Sequence, residues 1–182
     1  MTLFIGVLGR SRSGKDTAAA ILSEVLGFPI HRLAAPVKDA CHALFDIPRD
    51  VMEHGGKEVV DARYGKTPRD LLMWLTSSMQ RDFPPDFFFS RLVARLPVIA
   101  RGVIVPDVRY RHDVDNIRQR GGIVIKISRD HPPVRHAHEH AIDALHGDML
   151  LENNETLEAF EKRVLACAQT LACTHVLTEA RE

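Results

Sequence analysis

The chain has 182 residues, 45% hydrophobic and 26% charged, and its 24 basic and 24 acidic residues give a formal net charge of zero. This length and balance predict one soluble globular domain with its own hydrophobic core. They exclude wholesale electrostatic attraction to nucleic acid or to an anionic membrane, and no apolar run approaches the length that spans a bilayer. The basic residues are 18 arginines against 6 lysines, a bias suited to bidentate phosphate recognition that an arginine-rich genome would produce equally well. Three cysteines, Cys41, Cys167 and Cys173, have no metal-type spacing and read as reduced thiols. With no basic leader ahead of the first apolar run, the expected location is the cytoplasm.

The first predicted element is a buried strand over Leu3 to Leu8. It is followed at once by Gly9-Arg10-Ser11-Arg12-Ser13-Gly14-Lys15-Asp16-Thr17. The spacing Gly-x-x-x-x-Gly-Lys lets backbone N–H groups wrap a polyphosphate, with the lysine reaching its outer phosphates and the next helix pointing its positive end at the anion. That helix reads from Ala18 to Leu26 and stops at Gly27, a C-cap. Asp16 departs from the usual pattern, in which a Ser or Thr hydroxyl ligates magnesium after the lysine. Either Asp16 meets the metal directly or through water, or Thr17 binds phosphate while other carboxylates hold the metal.

Phe28 to Leu33 reads as a short extended segment leading into a helix with Pro36 in its first turn. Val37, Ala40, Cys41 and Leu44 form its apolar stripe and leave Lys38 on another face, as a solvated residue or a phosphate ligand. Ile47 to Lys66 reads as a connection with one helical turn. Thr67-Pro68-Arg69-Asp70 then opens a helix with a cap, a first-turn proline and an acidic third position. Arg69 opposes the helix dipole there, which an anion bound at that helix end would explain. Leu71, Leu72, Leu75 and Met79 form the stripe, with Trp74 at its edge as a packing residue. Beyond Pro84-Pro85 a helix from about Asp86 to Leu96 opens with three phenylalanines, more aromatic surface than one stripe needs, which leaves a ring for a ligand.

Gly102 to Asp107 is a second buried strand. In open α/β sheets, ligands sit at the carboxyl ends of strands, so Asp107 and Arg109 are expected to project toward the loop of Gly9 to Lys15. A helix over His112 to Arg120 and a third strand over Ile123 to Ile127 follow. From Ser128 to Asp148 the chain is polar and reads as a lid bringing Arg129 and Arg135 to the transferred phosphoryl group. His136-x-His138-Glu139-His140 has a zinc-like spacing but lacks a fourth ligand. A short strand, Met149 to Leu151, precedes a helix opened by Asn153-Asn154-Glu155-Thr156, and from Cys173 the chain reads as a short strand or frayed tail. Alternating strands and helices specify a parallel sheet with helices on both faces, an α/β fold.

Taken together, these motifs resemble the deoxynucleoside monophosphate kinases of tailed bacteriophages. Their pattern of strand followed by Gly-x-x-x-Ser-Gly-Lys-Asp-Thr is similar to Gly9 through Thr17, so Asp16 fits that family. Leu-Ala-x-Pro-x-Lys-Asp-Ala matches Leu33 to Ala40, and Arg-x-Leu-x-x-x-Leu matches Arg69 to Leu75. Val-Pro-Asp-x-Arg matches Val105 to Arg109, His-x-x-Glu matches His136 to Glu139, and an Asn-rich turn before a Leu-Glu helix matches Asn153 to Glu158. The resemblance implies a three-layer P-loop, adenylate-kinase-like fold as one domain over 1–182, with acceptor-binding helices over about 34–96 and a lid over about 128–148. It implies transfer of the ATP γ-phosphate, with magnesium, to a deoxynucleoside 5′-monophosphate.

Residue by residue, the resemblance implies phosphate cradling by Gly9 to Thr17, with Lys15, Asp107, Arg109 and Arg129 serving catalysis and Asp16 and Thr17 the metal. Acceptor contacts are implied for Lys38, Arg69, Asp107, Arg109, His136 and Glu139, with Phe89 stacking on the base. Where the family tends to have Gly-Thr-Asp, this chain has Thr76-Ser77-Ser78, so sugar or base contacts at Thr76 and Ser77 differ. The resemblance is compatible with a homodimer. Two rival readings are another small-molecule P-loop kinase, such as one acting on dephospho-coenzyme A, and a module that senses ATP without transferring phosphate. Asp107, Arg109 and the lid argue against a sensor, which needs no acceptor site.

Overall fold

A computed structural model describes residues 2–53, 56–97, 100–130 and 141–179. The chain forms two compact units, one made of Met1–Arg32 with Ala94–Glu182 and the other of Leu33–Val93. The larger unit holds strands β1 (Leu3–Leu8), β2 (Gly102–Val108), β3 (Ile123–Ser128) and β4 (Met149–Glu152) with helices α1 (Lys15–Leu26), α6 (Arg111–Gln119) and α7 (Leu157–Glu179). The smaller unit holds α2 (Ala35–Phe45), α3 (Arg49–Glu53), α4 (Pro68–Asp82) and α5 (Phe87–Val93).

The four strands form one sheet in the order β2-β1-β3-β4, and every pairing is parallel. β1 and β2 are apolar along almost their whole length and buried on both faces, as a parallel sheet covered by helices requires. Side chains alternate between the faces of a strand. Ile5 and Val7 of β1 accordingly join Leu22 of α1 and Phe160, Val164 and Ala168 of α7 in one core. Gly6, between them, faces the opposite side, where an added Cβ would stand 2.5 Å from Ile117 of α6. The larger unit is thus a three-layer α/β sandwich, and the absence of a side chain at Gly6 lets α6 approach β1 closely.

The local stop and start signals act as their chemistry requires. α1 ends at Gly27, whose φ of 67° and N–H bond to the Ser23 carbonyl close the helix. α4 begins with a complete capping box, in which Thr67 Oγ1 accepts from the Asp70 N–H and Asp70 Oδ2 accepts from the Thr67 N–H, both at 3.0 Å. In the smaller unit α2 and α4 pack on each other with α3, around Cys41, Ile47, Met52 and Leu71.

Two segments differ from the sequence expectation. The helix after Pro85 spans only Phe87–Val93, and residues 94–96 leave it ahead of Pro97, where a following proline disfavours the α region. The expected tail from Cys173 is instead helix as far as Glu179, because no glycine or proline follows to break it. Between Ile47 and Lys66 the chain forms α3 and then a tight loop closed by a bridge between Asp61 and Lys66. Trp74 is exposed and meets only the edge of Phe45 among the described ring contacts. Among the described residues no helix is long and apolar enough to cross a membrane.

Candidate functional site

β1 delivers the chain to Gly9 at the carboxyl edge of the sheet, and the turn that follows is built on missing side chains. A Cβ at Gly9 would lie 2.6 Å from Ser13 Oγ and 2.8 Å from the Ile127 carbonyl. Gly14 has φ of 103° and Arg12 φ of 63°, so the loop passes twice through left-handed conformations. The Ser13 N–H closes the turn on the Arg10 carbonyl at 3.2 Å, and the Lys15 ammonium folds back to the same carbonyl.

Two polar features mark this loop. The Ser13 hydroxyl is fully buried and has no hydrogen-bond partner among the described residues. A buried polar group left in that state costs about 1–3 kcal/mol. Immediately after it, α1 starts without a side-chain cap, so its first N–H groups and its positive dipole end face outward beside Lys15. A phosphate oxygen would satisfy these amides, and a polyphosphate therefore fits the loop.

Around this cradle the structure brings together residues far apart in sequence. Arg10 Nε donates to Asp143 Oδ1 at 2.8 Å, and the two side chains form an ion pair. Lys126, on β3, donates to the carbonyls of Asp143 and Leu145 at 2.9 and 2.6 Å and holds that segment against the strand end. Arg129 is exposed and reaches the Arg12 carbonyl at 3.3 Å. These residues, with Gly9 and Asp130, line a cleft of about 300 Å3 beside the phosphate loop. Ser11 is half-buried and Arg12 exposed.

The parallel register aligns Leu8 with Val108, so β2 ends beside the start of the loop, with Asp107 and Arg109 half-buried at that edge. The turn carrying them is fixed by Asp113, whose Oδ2 accepts from the Arg109 and Tyr110 N–H groups at 3.1 and 3.0 Å. Burial pushes the Asp113 carboxyl above its ordinary range, against the two N–H bonds and His112, which favour the charged form.

Asp16 is 78% exposed at its side chain and accepts from Arg32 Nη2 at 2.7 Å. Thr17 lies half-buried one residue further along α1. Among the described residues no three His, Cys, Asp or Glu side chains form a group that could hold a metal. Asp16 and Thr17 are the carboxylate and the hydroxyl that the first turn of α1 offers to a magnesium ion, and an ion with so few protein ligands would keep several waters.

In the smaller unit the expected cations have carboxylate partners. Lys38 lies 3.7 Å from Glu53, which Arg49 also contacts, and Arg69 pairs with Glu58. The Thr76 hydroxyl donates back to the Leu72 carbonyl within α4 at 2.8 Å, and Ser77 is exposed. Phe89 is 0% exposed, so the expected base-stacking ring presents no free face; it is a core residue, and the exposed aromatic nearby is Phe83, stacked on Phe87. His136 and Glu139 lie outside the described residues.

Sequence reasoning missed Asp113, Asp143, Arg32 and Asn153. Asp113 had a local signal, a carboxylate three residues into a helix. Asn153 precedes the last helix rather than opening it: α7 begins at Leu157, and Asn153 donates from Nδ2 to the Ser13 carbonyl at 2.8 Å. Arg32 and Asp143 had no local signal, because their partners come from other elements.

The sequence pattern described as deoxynucleotide monophosphate kinase matches residues 75–164. A protein of Acanthamoeba polyphaga mimivirus, named as a candidate deoxynucleotide monophosphate kinase, is 31% identical over 189 residues, spanning 91% of this chain and 95% of the relative. Among solved structures, dephospho-CoA kinase from Campylobacter jejuni is similar at a TM-score of 0.51 and 14% identity, over 96% of this chain and 99% of that one. TT1252 from Thermus thermophilus is similar at 0.50 and 18%, over 93% and 98%. At these identities the two structures show a shared fold and nothing of the substrate.

Proposed function

Because the chain belongs to the deoxynucleotide monophosphate kinase family, we propose that it transfers the γ-phosphate of ATP to a deoxynucleoside 5′-monophosphate, yielding ADP and the deoxynucleoside diphosphate. The observation that carries the donor half is the left-handed glycine turn at Gly14, which opens directly onto the uncapped start of α1 beside Lys15.

In this reading an oxygen of the acceptor phosphate forms a bond to the γ-phosphorus as the bond to the β–γ bridging oxygen breaks and ADP leaves. Little covalent work falls to the protein; positioning and neutralisation of charge carry the rate. The amides of Gly14 to Asp16 cradle the phosphates, and Lys15 exchanges the Arg10 carbonyl for a phosphate oxygen. Arg129 and Arg10, at the rim of the cleft, supply further positive charge toward the transferred group. Asp107 and Arg109, held by Asp113, contact the acceptor. A magnesium ion would be held by Thr17 or Asp16 and would supply neutralisation of the phosphate charge. Lys38 and Arg69 of the smaller unit are assigned to the acceptor's phosphate, which would compete with Glu53 and Glu58 for them.

The test is a coupled ADP-release assay with a panel of deoxy- and ribonucleoside monophosphates and with dephospho-coenzyme A. At least one deoxynucleoside monophosphate should stimulate ADP release, and dephospho-coenzyme A should not. ADP release indifferent to every deoxynucleotide would sink the proposal.

A further inference from the structure

At the carboxyl end of β4 stands Asn153, a polar side chain only 6% exposed and outside the phosphate-loop motif. Its Nδ2 donates to the Ser13 carbonyl at 2.8 Å, a buried bond across 140 positions of sequence. Its own backbone N–H donates to the Ser128 carbonyl, also at 2.8 Å. It lies directly under Gly14, where an added Cβ would stand 2.6 Å from Asn153 Nδ2 and 3.0 Å from the Phe160 ring.

The consequence follows from peptide geometry. In a planar trans peptide the carbonyl and the following N–H point in opposite directions. Holding the Ser13 carbonyl down on Asn153 therefore turns the Gly14 N–H outward, away from Asn153 and the buried Phe160. Gly14, at φ of 103°, has the freedom to accept that orientation. A left-handed glycine without such an anchor could rotate the same peptide the other way. The neighbouring Asn154 Oδ1 accepts from the Asp130 N–H at 2.7 Å, so the tip of β4 also fixes the segment that carries Arg129.

Resting on the kinase reading above, we infer that Asn153 is a positioning residue for ATP: it orients the Ser13–Gly14 peptide so that the Gly14 N–H donates to a phosphate oxygen of the nucleotide. The role requires a donor at this position. A carboxylate would set negative charge against the Ser13 carbonyl, and alanine would leave that carbonyl buried without its partner.

The experiment is calorimetric titration of ATP into the wild-type chain, Asn153→Asp and Asn153→Ala, across about pH 5 to 8, with unfolding of each nucleotide-free variant measured in parallel. Near neutral pH both variants should bind ATP roughly 10-fold more weakly than wild type, the scale of one lost buried hydrogen bond. Asn153→Asp should recover as pH falls, because a protonated carboxyl regains a donor and its burial against a carbonyl raises its pKa. Asn153→Ala should not recover. An Asn153→Asp deficit that stays constant across pH, or wild-type affinity in both variants, overturns the inference while leaving the kinase reading intact. A wild-type chain that binds no ATP overturns both. Should Asn153→Asp fail to fold, Asn153→Ala decides: the KM for ATP should rise while that for the deoxynucleotide is unchanged, and an equal rise in both overturns the inference.

Discussion

At the scale of single residues, charge and hydrogen bonding decide outcomes. Lys15→Ala removes the cation of the phosphate loop, and phosphoryl transfer should fall by roughly 100-fold or more, with an unchanged circular dichroism spectrum; undiminished transfer would contradict its role. Arg69→Ala should raise the KM for the deoxynucleotide and leave that for ATP alone. Asp113 makes a prediction about pH. Burial holds its folded-state pKa above the unfolded one, so its contribution to stability is complete below the ordinary carboxylate range, about 4, and declines as pH rises through the raised value. Asparagine keeps an oxygen for the Arg109 and Tyr110 N–H groups and carries no charge. Asp113→Asn should therefore match or exceed wild-type stability at neutral pH in urea unfolding and lose that advantage in acid. Asp113→Ala, which orphans both N–H groups, should cost about 1–3 kcal/mol at neutral pH.

At the scale of elements, boundaries are set by caps and by close approaches. Thr67→Ala removes the Oγ1 that accepts from the Asp70 N–H, leaves the backbone half of the α4 capping box, and should cost about 1 kcal/mol in denaturant unfolding. Gly102→Ala is more severe, since the new Cβ would fall 2.2 Å from the ring of Phe28, a core side chain, at the start of β2. Such overpacking costs about 1–3 kcal/mol or more. Most elements were legible in the sequence because their signals are local: the apolar β-branched runs, Gly27, the Thr67-Pro68 start. α7 outran its expected end because an absence of breakers is a weaker cue than a breaker. Phe89 was misjudged for a different reason, since three consecutive phenylalanines do not reveal which ring turns inward.

At the scale of the molecule, the phosphate loop belongs to the larger unit, and the assigned acceptor cations Lys38 and Arg69 belong to the smaller. A ligand that binds only the folded state stabilises it by mass action, about 2.7 kcal/mol at 100 times its Kd. Saturating ATP should accordingly raise the thermal unfolding midpoint, and Lys15→Ala should abolish most of that shift. An unshifted wild-type midpoint under saturating ATP would argue against a preformed nucleotide site.

Local patterns in the chain carried the four strands and the phosphate loop, and short motifs spread from Gly9 to Glu158 carried the kinase family. Spacing of glycines and lysine, alternation of strand and helix, and the run Val105 to Arg109 are all short-range information. Long-range contacts set what surrounds the loop: Asp143 on Arg10, and Asn153 under Ser13 and Gly14. These partners meet because the order β2-β1-β3-β4 sets the end of β3 beside that of β1 and the end of β4 next to it. Strand order is a long-range property, fixed by which faces the helices can cover, and no local pattern around Asn153 encodes its distance from Ser13.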